Sequence, residues 1–159
     1  MRVVAGKYRG KNLVTPKDDS VRPTTTRIKE TLFNVLQGWV SGASVLDLFA
    51  GCGSLGIECI SRGAKDVTFV DRSKDSVSFV YQNLKGIDGE YRVVNADFAS
   101  VLRTSYVSGK KYDLIFLDPP YATMLGELAI DLIVELDLLS DDGIIVFEHG
   151  SEKTYRMKA

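Results

Sequence analysis

From position 44 onward, short runs dominated by Val, Ile, Leu and Phe alternate with longer segments whose apolar residues fall three and four apart. The runs cover residues 44–49, 66–70, 91–95, 112–117 and 143–147. Strands that read apolar at nearly every position are covered on both faces, whereas a strand with one wet face alternates. Between them lie GSLGIECISRG, SKDSVSFVYQNLKG, DFASVLRTSYVSG and MLGELAIDLIVELDLL, each with helical periodicity. Strand, helix, strand, repeated, predicts an α/β fold: a mostly parallel sheet wrapped by helices on both faces. With 159 residues, 45% of them hydrophobic and 26% charged, the chain is a single globular domain and not a disordered one.

The first third is of another kind. VVAGKYRGKNLVTP alternates apolar with polar or basic residues and is punctuated by Gly6 and Gly10, so residues 1–22 are expected to form a small β-hairpin extension ahead of a core spanning 23–159. This extension reads as an arm that contributes little to the core. Next, RPTTTRIKETLFNVLQGW places Ile28, Leu32, Val35 and Leu36 on one helical stripe, with Pro23 and a threonine cluster marking its start. Residues 1–29 hold eight basic side chains against two acidic ones, while the whole chain has a formal net charge of -1. That polarity implies one surface for a polyanion and a separate acidic pocket. No apolar run approaches the roughly 18–20 residues of a membrane span, and the N-terminus lacks a run of signal-peptide length, so a cytoplasmic protein is expected. Cys52 and Cys59, with no CxxC and only His149 for company, read as free thiols and not as a metal site.

Within LDLFAGCGSLG, Gly51, Gly53 and Gly56 form a GxGxxG between a strand and a helix. Glycines there let the backbone approach a ligand and bring a helix N-terminus to bear on its negative group, which points to a nucleoside cofactor without saying which. The carboxylates are more selective. Asp47, Asp71, Asp97 and Asp118 each fall at or just beyond the end of a predicted strand, and in this fold those ends converge on one crevice. Acids crowded around a pyrophosphate would repel it, whereas S-adenosylmethionine brings an ammonium, a sulfonium, a ribose diol and an adenine amine. Asp71, twenty residues past Gly51, is placed for the ribose hydroxyls, Asp97 or Phe98 for the adenine, and Asp47 for the ammonium. Phe49 and Ala50 in the loop, and Arg72 beside Asp71, complete the expected cofactor contacts. For each acid taken singly, capping of the following helix is an equally good reading.

The fourth strand runs into Asp118, Pro119, Pro120 and Tyr121. Proline fixes its own backbone angle and pushes the preceding residue toward extended geometry, so this tetrapeptide makes a rigid exit from a buried strand. An exocyclic amine on a nucleobase is a poor nucleophile because its lone pair is delocalised into the ring. A carboxylate and a carbonyl accepting its hydrogens favour the pyramidal nitrogen that attacks a methyl group. Tyr121 offers a stacking surface for the base, worth about 1–3 kcal/mol.

Together these residues resemble the class I S-adenosylmethionine-dependent methyltransferases, with DLFAGCG as the cofactor loop and DPPY as the amino-methylating signature. MRVVAGKYRGK, RPTTTRIKETLFN, LDLFAGCGSLGIECISRGA and FLDPPY follow one another as they do in the RsmD family, and the resemblance covers nearly the whole chain. It implies methylation of the N2 amine of a guanine in small-subunit ribosomal RNA, free or in an assembling subunit. It also implies an RNA-gripping hairpin carried onto Lys7, Arg9 and Lys11, and a segment near the pocket carried onto Arg22, Thr24 and Arg27. Relatives of this kind continue into an antiparallel pair after the fifth strand, which here looks short or missing, leaving that strand as an open edge. Three other readings stay open: methylation of an adenine N6 amine in DNA or RNA, a noncatalytic RNA-binding relative, and an NAD-dependent oxidoreductase built on the glycine loop.

Overall fold

The computed structural model describes residues 1–16, 26–120, 123–149 and 153–157. In chain order the elements are α1 (Thr26–Val35), β1 (Ser44–Asp47), α2 (Ser54–Ser61), β2 (Asp66–Asp71), α3 (Lys74–Asn83), β3 (Tyr91–Asn95), α4 (Phe98–Ser108), β4 (Tyr112–Leu117), α5 (Leu125–Glu135), β5 (Leu139–His149) and β6 (Lys153–Met157). One sheet carries the strands in the order β3-β2-β1-β4-β5-β6. Strands β1 to β5 pair in parallel, as the two-sided apolar character of most of them predicts, while β3 at the sheet edge has no fully buried residue. Every residue of β1 is buried, since helices cover it above and below.

Two apolar layers sandwich the sheet. On one face, Phe33 of α1, Leu36 just past its end, Ile57 of α2 and Val80 of α3 pack on Val45, Phe69, Leu114 and Phe116. On the other, Leu102 of α4 and Ala129 and Ile133 of α5 pack on Leu46, Ile115, Leu117 and Ile145. Helix starts follow their sequence signals: Ser73 caps α3 by accepting from the Ser76 N–H at 3.2 Å, and Asp97 caps α4.

Several expectations change. The buried face of α1 runs through Lys29, Phe33 and Leu36, while Ile28 and Val35 are exposed. The predicted stripe leaves Lys29 out; an ion pair described below allows the lysine to go inside. Over its described residues, 1–16, the N-terminal segment folds back through one antiparallel bridge, Arg2 to Asn12, and not through two full strands. It is no loose arm, because Val3 and Leu13 are buried among the residues of the α1–α3 face, a contribution of about 1.5–3 kcal/mol for each such side chain. Strand β5 starts before the predicted 143, with a register shift between Tyr112 and Leu114 that accommodates the polar Ser140–Asp142 bulge. Finally, β6 pairs antiparallel with β5, so β5 is not the open edge expected from the short C-terminus.

Candidate functional site

Because β1 lies between β2 and β4, the chain switches direction across the sheet at β1, and the crevice at the carboxyl ends of such strands is where open α/β sheets hold ligands. Asp47 ends β1, Asp71 ends β2, Asp97 follows β3 and Asp118 follows β4, so parallel pairing sets all four on one edge of the sheet. The glycine loop lies at this edge. Gly51 and Gly53 have φ of 59° and 86°, left-handed values that favour glycine, and the Ala50 N–H is anchored on the Val70 carbonyl at 2.8 Å.

Helix α2 starts at this loop with Gly53 as its N-cap, a residue with no side chain to bond the first N–H groups, and Asp47 takes that of Gly56. The positive end of the helix dipole behind a glycine N-cap is suited to a carboxylate. Gly56 has a different reason to be glycine: a Cβ there would stand 2.3 Å from Cε1 of Phe69. The absent side chain lets α2 press onto β2. Gly56→Ala is therefore expected to lower stability by about 1–3 kcal/mol through overpacking, as read by urea titration.

The acids play distinct roles. Asp47 is 2% exposed, and its Oδ2 accepts from the Gly56 N–H at 3.1 Å. Burial pushes its carboxyl up to about 7; the Gly56 bond works against that shift and the nearby Asp71 charge adds to it. Asp71 is half-buried and braces the loop, accepting from the Gly51 N–H at 2.9 Å and the Ser73 N–H at 2.8 Å. Asp97 is exposed, and its Oδ1 accepts from Ala99 and Ser100 N–H groups at 2.9 and 3.3 Å, so its capping role is realised. Phe49 and Phe98 lie against each other with ring centroids 5.6 Å apart, joining the loop after β1 to the start of α4. Arg72 is exposed beside Asp71.

Past β4, Asp118 and Pro119 are half-buried and Pro120 is exposed. The Pro120 carbonyl accepts from Thr123 Oγ1 at 2.9 Å. One carbonyl of this exit is thus engaged by its own loop. Tyr121, Arg22 and Thr24 lie outside the described residues. Lys7, Arg9 and Arg27 are exposed, and Lys11 reaches the Lys85 carbonyl at 2.9 Å.

Sequence reasoning missed four polar residues that hold this region together. Lys29 and Glu58, both 0% exposed, pair at 3.2 Å, and Lys29 also donates to Ser54 Oγ at 3.0 Å at the start of α2. Glu58 further accepts from the Val4 and Ala5 N–H groups at 2.9 and 3.1 Å and from Arg62 Nε at 2.8 Å. Burial lowers the Lys29 pKa against the pull of Glu58. Burial alone would raise Glu58, but the Val4 bond, Arg62 and Lys29 outweigh it and hold the carboxyl below its usual value. Asn95 Nδ2 bonds the Asp71 and Arg72 carbonyls, each at 3.0 Å. Asn83 lies between the loop and the N-terminal segment. The available signal was spacing: Lys29 precedes Phe33 by four and Asn83 follows Val80 by three, so both continue buried helical lines.

A separate cleft of about 390 Å³ runs beneath α4 along β2 and β3, near the Asp66–Lys110 ion pair at the opposite ends of the strands. Cys52 and Cys59 are free thiols, both raised in pKa by burial first. Among the described residues, no cluster of three or more His, Cys, Asp or Glu is arranged to hold a metal ion, and no helix is long and apolar enough to cross a membrane.

With this geometry in place, comparison with known proteins gives a consistent result. A family model described as "Conserved hypothetical protein 95" matches residues 1–158. The chain is 38% identical over 154 residues to YlbH of Bacillus subtilis (strain 168), provisionally named as an rRNA methyltransferase, covering 96% of this chain and 84% of that protein. It is 36% identical over 153 residues to ribosomal RNA small subunit methyltransferase D of Escherichia coli (strain K12), covering 96% and 76%. A solved Escherichia coli structure, provisionally assigned as a methyltransferase, superposes with a TM-score of 0.81 at 36% identity over 92% of this chain and 79% of that one. A family match over nearly every residue, joined to the same fold at this level of identity, means that the chain belongs to the RsmD family of methyltransferases.

Proposed function

We propose that this protein transfers a methyl group from S-adenosylmethionine to the exocyclic N2 amine of a guanine in small-subunit ribosomal RNA. The carrying observation is that one sheet edge combines a helix start with a glycine N-cap, a buried carboxyl at Asp47 and the Asp118–Pro120 exit, with a basic segment docked on the same lobe. The names of the methyltransferase relatives support the reaction and the RNA class.

The residues present suit this cofactor. The first N–H groups of α2 would take its carboxylate, Asp47 its ammonium, Asp71 its ribose hydroxyls, and Phe49 and Phe98 would flank its adenine. When bound, the cofactor supplies an electrophilic methyl on a sulfonium. The chain's own task is to orient the acceptor. Asp118 accepts one amine hydrogen and a backbone carbonyl of the Pro119–Pro120 exit the other, restoring nucleophilic character to the nitrogen. Asp118 need not be a strong base, since the nitrogen proton becomes acidic on alkylation. Tyr121 seats the base, which is unpaired or extruded from its helix, while Lys7, Arg9, Lys11, Arg22, Thr24 and Arg27 hold the RNA backbone.

The deciding experiment incubates the protein with radiolabelled S-adenosylmethionine and either free small-subunit rRNA or assembled particles, followed by nucleoside analysis. Labelled N2-methylguanosine is the expected product. N6-methyladenosine would move the reaction to adenine, and binding of both ligands without transfer would make the protein a noncatalytic RNA binder. Tight NADH binding without binding of the methyl donor would overturn the cofactor assignment.

Asp47 gives the cofactor reading a pH signature. Its carboxyl keeps a proton up to about pH 7, whereas an ammonium neighbour favours the ionised form. Binding therefore releases a proton below that pH. Affinity for S-adenosylhomocysteine is expected to rise with pH up to about 7, by at most about tenfold per unit, and then to level off. Asp47→Asn removes the slope, as titration calorimetry in buffers of different ionisation enthalpy will show. In the ligand-free protein the folded carboxyl binds more protons than the unfolded one between pH 3.8 and about 7, so the Asp47 contribution to stability falls as pH rises through that window.

A further inference from the structure

The glycine loop and the basic N-terminal segment are far apart in sequence and share one buried side chain. Asn83, the last residue of α3, is 2% exposed. Its Oδ1 accepts from the Val14 N–H at 2.8 Å, and its Nδ2 donates to the Val14 carbonyl and to the Cys52 carbonyl, each at 3.0 Å. Val14 follows the stretch that carries Lys7, Arg9 and Lys11, and Cys52 stands between Gly51 and Gly53. The donor and acceptor assignment is fixed by the partners, because an N–H requires the oxygen and two carbonyls require the nitrogen. Only a primary amide meets all three demands at this size. A carboxylate has no hydrogens to give, and leucine has neither function.

From this arrangement we infer that Asn83 is a positioning residue that couples the RNA-holding segment to the cofactor loop, so that RNA and cofactor bind with positive cooperativity. The inference rests on the function proposed above. Displacing residues 1–14 strips two of the three bonds from Asn83 and frees its amide to turn away from Cys52. Displacing the loop removes the third and leaves a buried N–H without a carbonyl. Each ligand that fixes its own segment thus keeps the anchor of the other in place. A second joint acts in parallel: Glu58 holds Val4 and Ala5, and its partner Lys29 holds Ser54 where α2 leaves the loop.

The test is equilibrium dialysis of radiolabelled S-adenosylhomocysteine against the full chain, with and without saturating small-subunit rRNA transcript. For the wild type, RNA is expected to tighten binding at least about fivefold, and the homocysteine product to tighten RNA binding by the same factor. In Asn83→Leu, both ligands still bind and the ratio collapses to within about twofold of unity. A merely structural role would weaken each ligand alone and leave the ratio standing, which would overturn the inference. Hydrogen exchange on the wild type gives a readout that requires no variant to fold. S-adenosylhomocysteine alone is expected to slow exchange at the Val14 amide, and an unchanged Val14 rate would also overturn the coupling. If the wild type binds no S-adenosylhomocysteine, the functional reading fails and this inference falls with it. Binding of both ligands without mutual effect sinks the coupling alone.

Discussion

Asp118→Ala is expected to lower methyl transfer by about 100- to 1,000-fold, the scale seen when one preorganised group that stabilises a transition state is removed. The loss should appear in kcat, with S-adenosylhomocysteine affinity changing far less, because an interaction gained as the amine becomes pyramidal adds little to ground-state binding. Single-turnover assays with labelled donor and rRNA separate the chemical step from product release. Asp118→Asn is the informative companion: it keeps the size and one acceptor oxygen, and places an amide where a carboxylate stood. A normal rate in Asp118→Ala would remove the proposed mechanism.

Glu58→Ala carries the largest expected cost in stability, on the order of 3–5 kcal/mol by urea titration. The substitution leaves Lys29 charged and 0% exposed, unpairs Arg62 and strips the Val4 and Ala5 N–H groups of their acceptor. Adding Lys29→Met removes the stranded charge, so the double variant should recover part of the loss and not sum the two singles. Because Glu58 seats the N-terminal segment, protease cleavage between residues 7 and 11 should quicken even where the core remains folded. A loss below about 1 kcal/mol would mean that water compensates the carboxylate in place of these partners.

The sheet was legible because its strands are concentrated apolar runs, and β1 to β4 begin where those runs do. The strand-end acids were legible for the same reason: once strands are placed, parallel pairing puts Asp47, Asp71, Asp97 and Asp118 on one edge. Their individual duties were not. Whether an aspartate caps a helix, as Asp97 does, or loses its charge to burial, as Asp47 does, depends on backbone N–H positions and solvent access that periodicity does not encode. The α1 stripe failed through a hidden partner. A lysine reads as solvent-facing until an acid twenty-nine residues later, Glu58, is known to meet it. The docking of the N-terminal segment was hidden likewise, since Val3 and Leu13 are sparse among charges and their seats are built by distant helices. The fifth run reads as starting at 143 because the polar Ser140–Asp142, where the pairing with β4 shifts register, hides the earlier start of β5.

That docking also sets an order of events during synthesis. Val4 finds Glu58 across 54 residues and Val14 finds Asn83 across 69, so neither seat exists when the first sixteen residues emerge. Residues 1–16 must wait until α2 and α3 have been made and have settled on the sheet. In refolding, the Val14 amide should accordingly gain protection after those of β1 and β4, so that a stretch translated before the core comes to rest after it.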